Sequence, residues 1–236
     1  MKKDILLVIP TLNEFGNIQK IYKKIRKSNK NIKLLFIDDN SKDGTQKVIR
    51  EIKKKNKNVN YIFRPKKMGI GSAHKVGIMY AKKRKFNYIC TMDCDGTHEP
   101  RHINKMLKLI KKNDLVITNR FLKVNSLKDW GIKRKLITKL RYYLVWLLLG
   151  TKLDGSGGFR LYDLKKIKID DILESKDKNY NFFWQSAFLL EKKGYRIAEI
   201  PINLPNRVTG SSKMKIKDIL SGVLNLFKFF LIHKIV

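Results

Sequence analysis

Two hydrophobic rhythms alternate along the first half of the chain: short continuous apolar runs, and stretches whose apolar residues recur every three or four positions. Asp4–Pro10 is an apolar run ended by Pro10, the pattern of a strand buried on both faces. Thr11-Leu12-Asn13-Glu14 is a polar turn, and Asn17 is placed to cap a helix carrying Ile18, Ile21, Tyr22 and Ile25. Lys33–Ile37 repeats the strand pattern and ends in Asp38-Asp39-Asn40-Ser41, after which Asp43-Gly44-Thr45 opens a helix with Val48, Ile49 and Ile52 inward. A strand over Val59–Phe63, a helix over Gly69–Lys83 and a strand over Phe86–Met92 follow. A helix over Pro100–Lys112, with Ile103, Met106, Leu107 and Ile110 inward, leads to a fifth strand over Asp114–Thr118. This alternation predicts an α/β fold: a doubly wound, mostly parallel sheet flanked by helices.

Past Thr118 the pattern changes. Trp130–Gly150 reads as one long helix, basic at Lys133, Arg134, Lys135, Lys139 and Arg141, then apolar all round from Tyr142 to Leu149. Aromatic residues beside basic ones suit a membrane interface, and the same run suits a buried core helix. Gly155-Ser156-Gly157-Gly158-Phe159-Arg160 is a Gly-rich turn carrying one Arg. Asn181–Lys193 reads as a helix, and Tyr195–Ile200 as a strand stopped by Pro201. Ile216–Val236 places Ile216, Ile219, Leu220, Val223, Phe227, Phe230 and Leu231 on one helical face, with Asp218, Ser221, Asn225 and Lys228 opposite. An amphipathic helix lying in a membrane plane is expected there, with a helix docked on the domain as the alternative. No stretch of about 20 uncharged apolar residues occurs, so no transmembrane helix is expected. No secretory signal is expected either, because the Ile5–Ile9 run is short and Pro10 and Asn13-Glu14 follow at once.

The length of 236 residues suits one sizeable domain or a domain with a small appendage. Lys and Arg number 53 against 20 acids, a formal net charge of +33. Lysines mixed with many Asn and Ile point partly to nucleotide bias; an anionic membrane or a nucleic acid are the functional explanations. Nucleic-acid binding would call for aromatic platforms interleaved with Lys and Arg, or a recognisable motif. Neither is present, and the aromatics sit mostly in apolar runs. Cys90 and Cys94 suit reduced thiols in a cytoplasmic protein better than a disulfide.

The chemistry concentrates at Asp93-Cys94-Asp95-Gly96-Thr97. Apolar strands that finish in acidic residues present hard oxygen ligands at the carboxyl edge of a parallel sheet, where open α/β sheets bind ligands. Two carboxylates so close repel unless a cation sits with them, and Mg²⁺ or Mn²⁺ suits such donors. An Asp-rich turn capping the next helix is the plainer reading. Against it, Asp38-Asp39 and Glu14 follow strands at the same sheet edge. Gly69-Ile70-Gly71-Ser72-Ala73-His74 is no dinucleotide fingerprint, because His74 replaces the third Gly and the stretch follows the third strand. The histidines show no zinc-like pairing with the cysteines. His98 reads as a polar residue at a helix start, or as a neighbour of the metal site.

Together these motifs resemble the family 2 inverting glycosyltransferases of the GT-A fold, most closely the polyprenyl-phosphate sugar synthases of the dolichol-phosphate mannosyltransferase type. Ile9-Pro10-Thr11-Leu12-Asn13-Glu14 is similar to the family's opening motif, and Ile37–Thr45 to its second. Asp93-Cys94-Asp95 is similar to its metal motif, and Asn119-Arg120-Phe121 stands where the family has Ser-Arg-Tyr. Asp154–Arg160 resembles the Asp-x-x-Ser-Gly-Phe-Arg loop with an extra Gly. Arg207-Val208-Thr209-Gly210-Ser211-Ser212-Lys213 resembles the closing Arg-x-x-Gly-x-Ser-Lys. Each motif alone is weak; their order and spacing together are specific.

The resemblance implies a GT-A catalytic domain over residues 1–213, including the amphipathic segment 130–150, and a membrane-associated helix over 214–236. It implies that Pro10, Leu12, Glu14, Ile37, Asp39, Asp93, Cys94 and Asp95 bind a GDP- or UDP-linked sugar. Asp93, Asp95 and Thr97 are implied as the Mg²⁺ or Mn²⁺ site. Asp95, Arg120, Arg207 and Lys213 are implied in catalysis, the last three as the diphosphate clamp. Arg134 and Thr138, four apart and so on one helical face, are implied to meet a lipid phosphate. The implied reaction moves mannose or another hexose to dolichyl or undecaprenyl phosphate, with inversion by in-line attack. It would occur at the cytoplasmic face of a membrane, on a peripheral or monotopic protein with a possible membrane-protein partner. A phosphate monoester with a second pKa of about 6 is already a nucleophile near neutrality, so no dedicated base is needed. The alternative acceptor, a sugar hydroxyl of a surface polysaccharide, would need one. Two departures fall where sugar or metal contacts are implied: Gln185 replaces a Glu, and Thr97 stands where the family often has Gln.

Overall fold

Among the residues that the computed structural model describes (4–205 and 216–234), seven strands form one sheet in the order β3-β2-β1-β4-β6-β5-β7. In chain order the elements are β1 (Ile5–Thr11), α1 (Phe15–Ser28), β2 (Lys33–Asp38), α2 (Thr45–Lys55), β3 (Val59–Phe63), α3 (Ile70–Lys83), β4 (Tyr88–Thr91) and α4 (His102–Leu109). There follow β5 (Leu115–Asn119), α5 (Ile132–Leu149), β6 (Arg160–Asp163), α6 (Ile169–Leu173), α7 (Asn181–Lys192), β7 (Ile197–Pro201) and α8 (Ile216–Lys234). The pairings are parallel except at β6, which runs antiparallel to both β4 and β5.

The continuous apolar runs become central strands because both faces of the sheet are covered. Side chains alternate between faces along each strand. Ile5, Leu7 and Ile9 of β1 join Leu34 and Phe36 of β2 under α1, α2 and α4. Leu6 and Val8 join Leu35 and Ile37 on the other face, beneath α3, α6 and α7. Gly77 lets α3 lie directly on β1, since a Cβ there would come within 2.6 Å of Val8.

β6 and α6 were not apparent in the pattern. β6 has four residues with Arg160 and Asp163 at its ends, yet all four are buried, so it carries no alternation. α6 spans only five residues, with Asp170 and Asp171 in its first turn, where the helix dipole favours them.

α5 is covered on one side only. Val145 and Leu149 pack with Trp184, Phe188 and Leu189 of α7 and with Leu226 and Phe229 of α8. Ile132, Leu136, Leu140, Tyr143 and Leu147, at four- and three-residue spacing, form an exposed apolar stripe. The tail helix is docked through Leu226 and Phe229, while Val223, Phe227 and Leu231 of the expected apolar face are exposed and Phe230 is half-buried. Ile216, Ile219 and Leu220 lie outside the described side chains. Among the described residues, no helix is long and apolar enough to cross a membrane.

Candidate active site

β1, β2 and β4 are neighbours and parallel, so the loops leaving them meet at one edge of the sheet. There one cavity is lined by Pro10 near the end of β1, Leu12 and Glu14 after it, Ile37 and Asp39 at the end of β2, and Asp93, Cys94 and Asp95 after β4. The structure thus brings together eight of the residues implied as the sugar-nucleotide site. Besides Thr11, the wall includes Lys67, Gly69, Ile70 and Ala73 around the start of α3, and Asn179 and Tyr180 before α7. These six were not foreseen; only the glycines of the Gly69–Gly71 stretch gave a signal.

The two acidic residues ending β2 have separate jobs. Asp38 is fully buried and turned inward, accepting hydrogen bonds from Thr11 Oγ1 (2.9 Å), Ser41 N (2.9 Å) and Gln46 Nε2 (2.7 Å). It welds β2 to the end of β1. Asp39 faces the cavity; it pairs with the buried Arg64 guanidinium and accepts from the amides of Met68 (3.0 Å) and Gly69 (3.1 Å). Arg64 also reaches Ser72 Oγ and the Gly69 carbonyl, so one arginine after β3 holds Asp39 and the α3 entrance together. Gly69 sits at φ +95°, and a Cβ there would collide with the Lys178 carbonyl at 2.3 Å.

The β1–α1 turn is held from outside. Asn17 does not cap α1; it lies in the first turn and donates to Glu14 Oε2 at 2.6 Å. The orphan amides of Asn13, Glu14 and Phe15 donate instead to Ser41 Oγ (2.8 Å), Thr45 Oγ1 (2.9 Å) and Asp43 Oδ2 (2.9 Å). The first and second motifs are therefore one hydrogen-bonded unit, which sets Leu12 and Glu14 against Ile37 and Asp39.

On the opposite wall, Thr97 engages Asp95 Oδ1 through its hydroxyl (2.6 Å) and its amide (3.0 Å), orienting that carboxylate. His98 is not in a helix: its Nδ1 accepts the Asp93 amide at 3.1 Å, and its ring lies 5.1 Å from that of Phe159. A Cβ at Gly158 would lie 3.1 Å from Asp93 Oδ1, so the Gly-rich loop closes directly over Asp93. Burial, with Glu14, Asp95 and Asp93 nearby, raises the Cys94 thiol far above its usual range. It stays protonated, leaving carboxylate oxygens as the donors. Among the described residues no group of three or more His, Cys, Asp or Glu could hold a metal alone. Two carboxylates fit a Mg²⁺- or Mn²⁺-type ion that completes its shell with substrate phosphate oxygens and water.

Arg120 stands beside this wall. Its amide (3.0 Å) and Nε (2.7 Å) donate to Asp154 Oδ2, while Ser156 Oγ donates to Asp154 Oδ1 at 2.8 Å. Burial pushes the Asp154 carboxyl up, but the Arg120 charge and these hydrogen bonds outweigh it and hold it below the usual carboxylate value. Glu199 accepts the Asp154 amide at 2.9 Å, and burial raises its carboxyl. Arg160 is fully buried and has no carboxylate partner among the described residues. It is satisfied by the carbonyls of Gly155, Gly157 and Phe183 and by Tyr162 and Ser186, which locks the Gly-rich loop to α7.

Thr138 is buried and Arg134 exposed, with the Arg134 guanidinium 3.4 Å above the Trp130 ring. Gln185 is buried off the cavity and accepts from Ser175 Oγ at 2.7 Å. Arg207 and Lys213 lie outside the described residues.

Known proteins are similar to this chain in sequence and in fold. An undecaprenyl-phosphate mannosyltransferase of Micrococcus luteus is 28% identical over 226 residues, 95% of this chain and 93% of that one. A polyprenol monophosphomannose synthase of Mycolicibacterium smegmatis is 27% identical, covering 89% of this chain and 80% of that protein. In fold, the chain is similar to glucosyl-3-phosphoglycerate synthase of Mycobacterium tuberculosis in complex with Mn²⁺, UDP and phosphoglyceric acid. The TM-score is 0.68 at 17% identity, covering 98% of this chain and 78% of that one, and establishes the GT-A architecture. Residues 6–169, which carry the cavity's β1, β2 and β4 loops together with Arg120 and the Gly-rich loop, match glycosyl transferase family 2, and the chain belongs to that family.

Proposed function

We propose that this glycosyltransferase moves a hexose from a nucleoside diphosphate sugar to the phosphate of a polyprenyl lipid at a membrane surface. The observation that carries the reading is the convergence of Asp39, Asp93 and Asp95 with the apolar Pro10, Leu12 and Ile37 on one cavity beside Arg120. Pro10, Leu12 and Ile37 provide a flat apolar wall for a base, and Asp39 and Glu14 provide acceptors for base or ribose. Both named relatives act on polyprenyl phosphates, which supports a lipid phosphate as acceptor.

A divalent ion held by Asp93 and Asp95 would neutralise the diphosphate and stabilise it as a leaving group. Thr97 keeps the Asp95 carboxylate turned for that task, and Arg120, fixed by Asp154, presents positive charge next to it. Arg207 and Lys213 complete the clamp. A phosphate monoester needs no base, because it is deprotonated near neutral pH.

The exposed stripe of α5 and the exposed Val223, Leu224, Phe227 and Leu231 of α8 present apolar surface on two helices in mutual contact. Lys133, Arg134, Lys135 and Lys139 flank it. Such a surface suits peripheral or monotopic attachment to anionic lipid, each cation contributing about 1 kcal/mol. The cytoplasmic face, where nucleotide sugars are made, fits this charge. Nucleic acid is not among the proposed partners. The test is sugar transfer to an isoprenyl monophosphate compared with the matching isoprenyl alcohol and with an oligosaccharide. Transfer to the monophosphate alone supports the proposal; transfer to a hydroxyl acceptor alone replaces it with the polysaccharide reading.

A further inference from the structure

α5 carries an arginine that no implied motif uses. Arg141 is three residues after Thr138 and seven after Arg134, so all three share one face of the helix. Its backbone lies about 10 Å along the axis from that of Arg134, at a rise of about 1.5 Å per residue. The Tyr142 ring packs against that of Phe121 at a tilt, with centroids 4.3 Å apart, which brings this turn of α5 against the chain that leaves β5 at Arg120. Arg141 is half-buried, and none of the described residues forms a hydrogen bond or an ion pair with its guanidinium. The Asp154 carboxylate, whose charge also acts on Arg141, is already used: Arg120 holds Oδ2 and Ser156 holds Oδ1. Glu199 is turned to Asn119 Nδ2 and the Asp154 amide. Two neighbouring arginines therefore share one carboxylate. A half-buried guanidinium without its own counter-ion is a ready donor for an anionic ligand.

We infer that Arg141 and Arg120 together form a phosphate-monoester seat, and that it holds the acceptor's phosphate next to the donor. This inference rests on the function proposed above. Burial and the Arg120 charge pull Arg141 down to about 10, with Asp154 opposing, as two crowded cations require. The seat adjoins the reacting groups through the Gly-rich loop. A Cβ at Gly157 would lie 3.6 Å from Arg120 Nη2, and one at Gly158 would lie 3.1 Å from Asp93 Oδ1. Arg134, stacked and exposed, draws the headgroup in; Arg141 and Thr138 hold it deeper. In the step itself a phosphate oxygen forms a bond to the anomeric carbon while the bond to the diphosphate breaks. The nucleoside diphosphate leaves with the electron pair, the acceptor changes from monoester dianion to diester monoanion, and no proton moves.

The experiment measures equilibrium binding of geranyl monophosphate and of inorganic phosphate to the full chain, for wild type, Arg141→Gln and Arg141→Lys. UDP and GDP with Mn²⁺ are titrated in parallel. Loss of a charge-assisted hydrogen bond predicts roughly tenfold to hundredfold weaker monophosphate binding in Arg141→Gln, partial recovery in Arg141→Lys, and nucleotide binding unchanged within about twofold. Monophosphate affinity within about twofold of wild type in Arg141→Gln overturns the seat. So does an equal loss of nucleotide and monophosphate binding in both variants, or a wild type that binds neither phosphate. Inorganic phosphate held through Arg141 without any affinity for geranyl monophosphate keeps the seat and overturns the lipid acceptor.

Discussion

The Arg120 guanidinium donates through Nε to Asp154 Oδ2 at 2.7 Å, with side-chain exposures of 10% and 1%. The same oxygen accepts the Arg120 amide, so the pair fixes backbone and side chain at once. Removing one member of a buried pair strands the other, and Asp154→Ala is expected to destabilise the fold by about 3–5 kcal/mol. Urea unfolding at pH 7 measures it. The carboxyl of Asp154 is lowered in the folded state, so its contribution is complete above the unfolded value of about 3.9. It is lost as pH falls through the lowered folded value.

The Thr91 hydroxyl donates to the Gly158 carbonyl at 2.6 Å and pins that loop, so it cannot retreat from Asp93. A methyl group in Gly158→Ala must then displace the Asp93 carboxylate. Nucleotide binding in the presence of Mn²⁺ is expected to weaken roughly tenfold or more, about 1.4 kcal/mol, with little change in urea midpoint. Titration calorimetry with and without the ion separates the two effects.

His74 is fully buried between α3 and α7, its ring edge-on to Phe183 at 4.8 Å, and neither nitrogen has a hydrogen-bond partner among the described residues. Burial, with Arg160 and His98 nearby, lowers it to about 3. The unfolded chain takes up a proton at His74 below about pH 6.5, and the folded chain does not until about 3. Stability is therefore full above about pH 6.5 and falls with acid, by at most about 1.4 kcal/mol per pH unit from this group. His74→Phe is expected to keep stability at pH 7 within about 1.5 kcal/mol and to flatten the decline between pH 6.5 and 5. Urea midpoints across that range check it.

The apolar stripes of α5 and α8 carry the membrane reading. Leu136→Ser with Leu140→Ser removes two side chains that are 62% and 58% exposed, so the folded chain loses little. Partitioning onto anionic vesicles is expected to drop roughly tenfold or more, at about 1.5–3 kcal/mol for each fully buried Leu. Sedimentation with vesicles of phosphatidylglycerol measures it; unchanged partitioning would remove α5 from the membrane contact.

Much of the fold was legible because central parallel strands are apolar on both faces and their helices are amphipathic. Leu6, Leu7, Val8 and Ile9 can be read as a buried strand without knowing their neighbours. β6 could not be read, because a four-residue strand bounded by Arg160 and Asp163 owes its burial to the sheet around it. The site was legible where acids follow strands, as at Asp39, Asp93 and Asp95. Adjacent Asp38 and Asp39 looked equivalent; only the pleat, which turns one inward and the next to the cavity, separates them. Arg64 and Arg160 were hidden for a different reason. In a chain with 53 Lys and Arg, a buried arginine that organises a loop resembles every solvated one. Asn179 and Tyr180 reach the cavity from a distant segment through the close approach of Lys178 to Gly69, a contact without local pattern.

The proposed reaction is metal-assisted sugar transfer to a polyprenyl phosphate through the Asp93 and Asp95 carboxylates. The most direct measurement is transfer from radiolabelled UDP- and GDP-sugars to a short polyprenyl phosphate, with Mn²⁺ or with EDTA, for wild type and Asp95→Ala. The expected result is an alkali-stable, acid-labile lipid product in Mn²⁺, abolished by EDTA and reduced at least roughly a hundredfold in the variant, since a charged oxygen donor to the leaving group is lost. Product formed equally well in EDTA, or by Asp95→Ala at the wild-type rate, would contradict a metal-assisted reaction at these carboxylates.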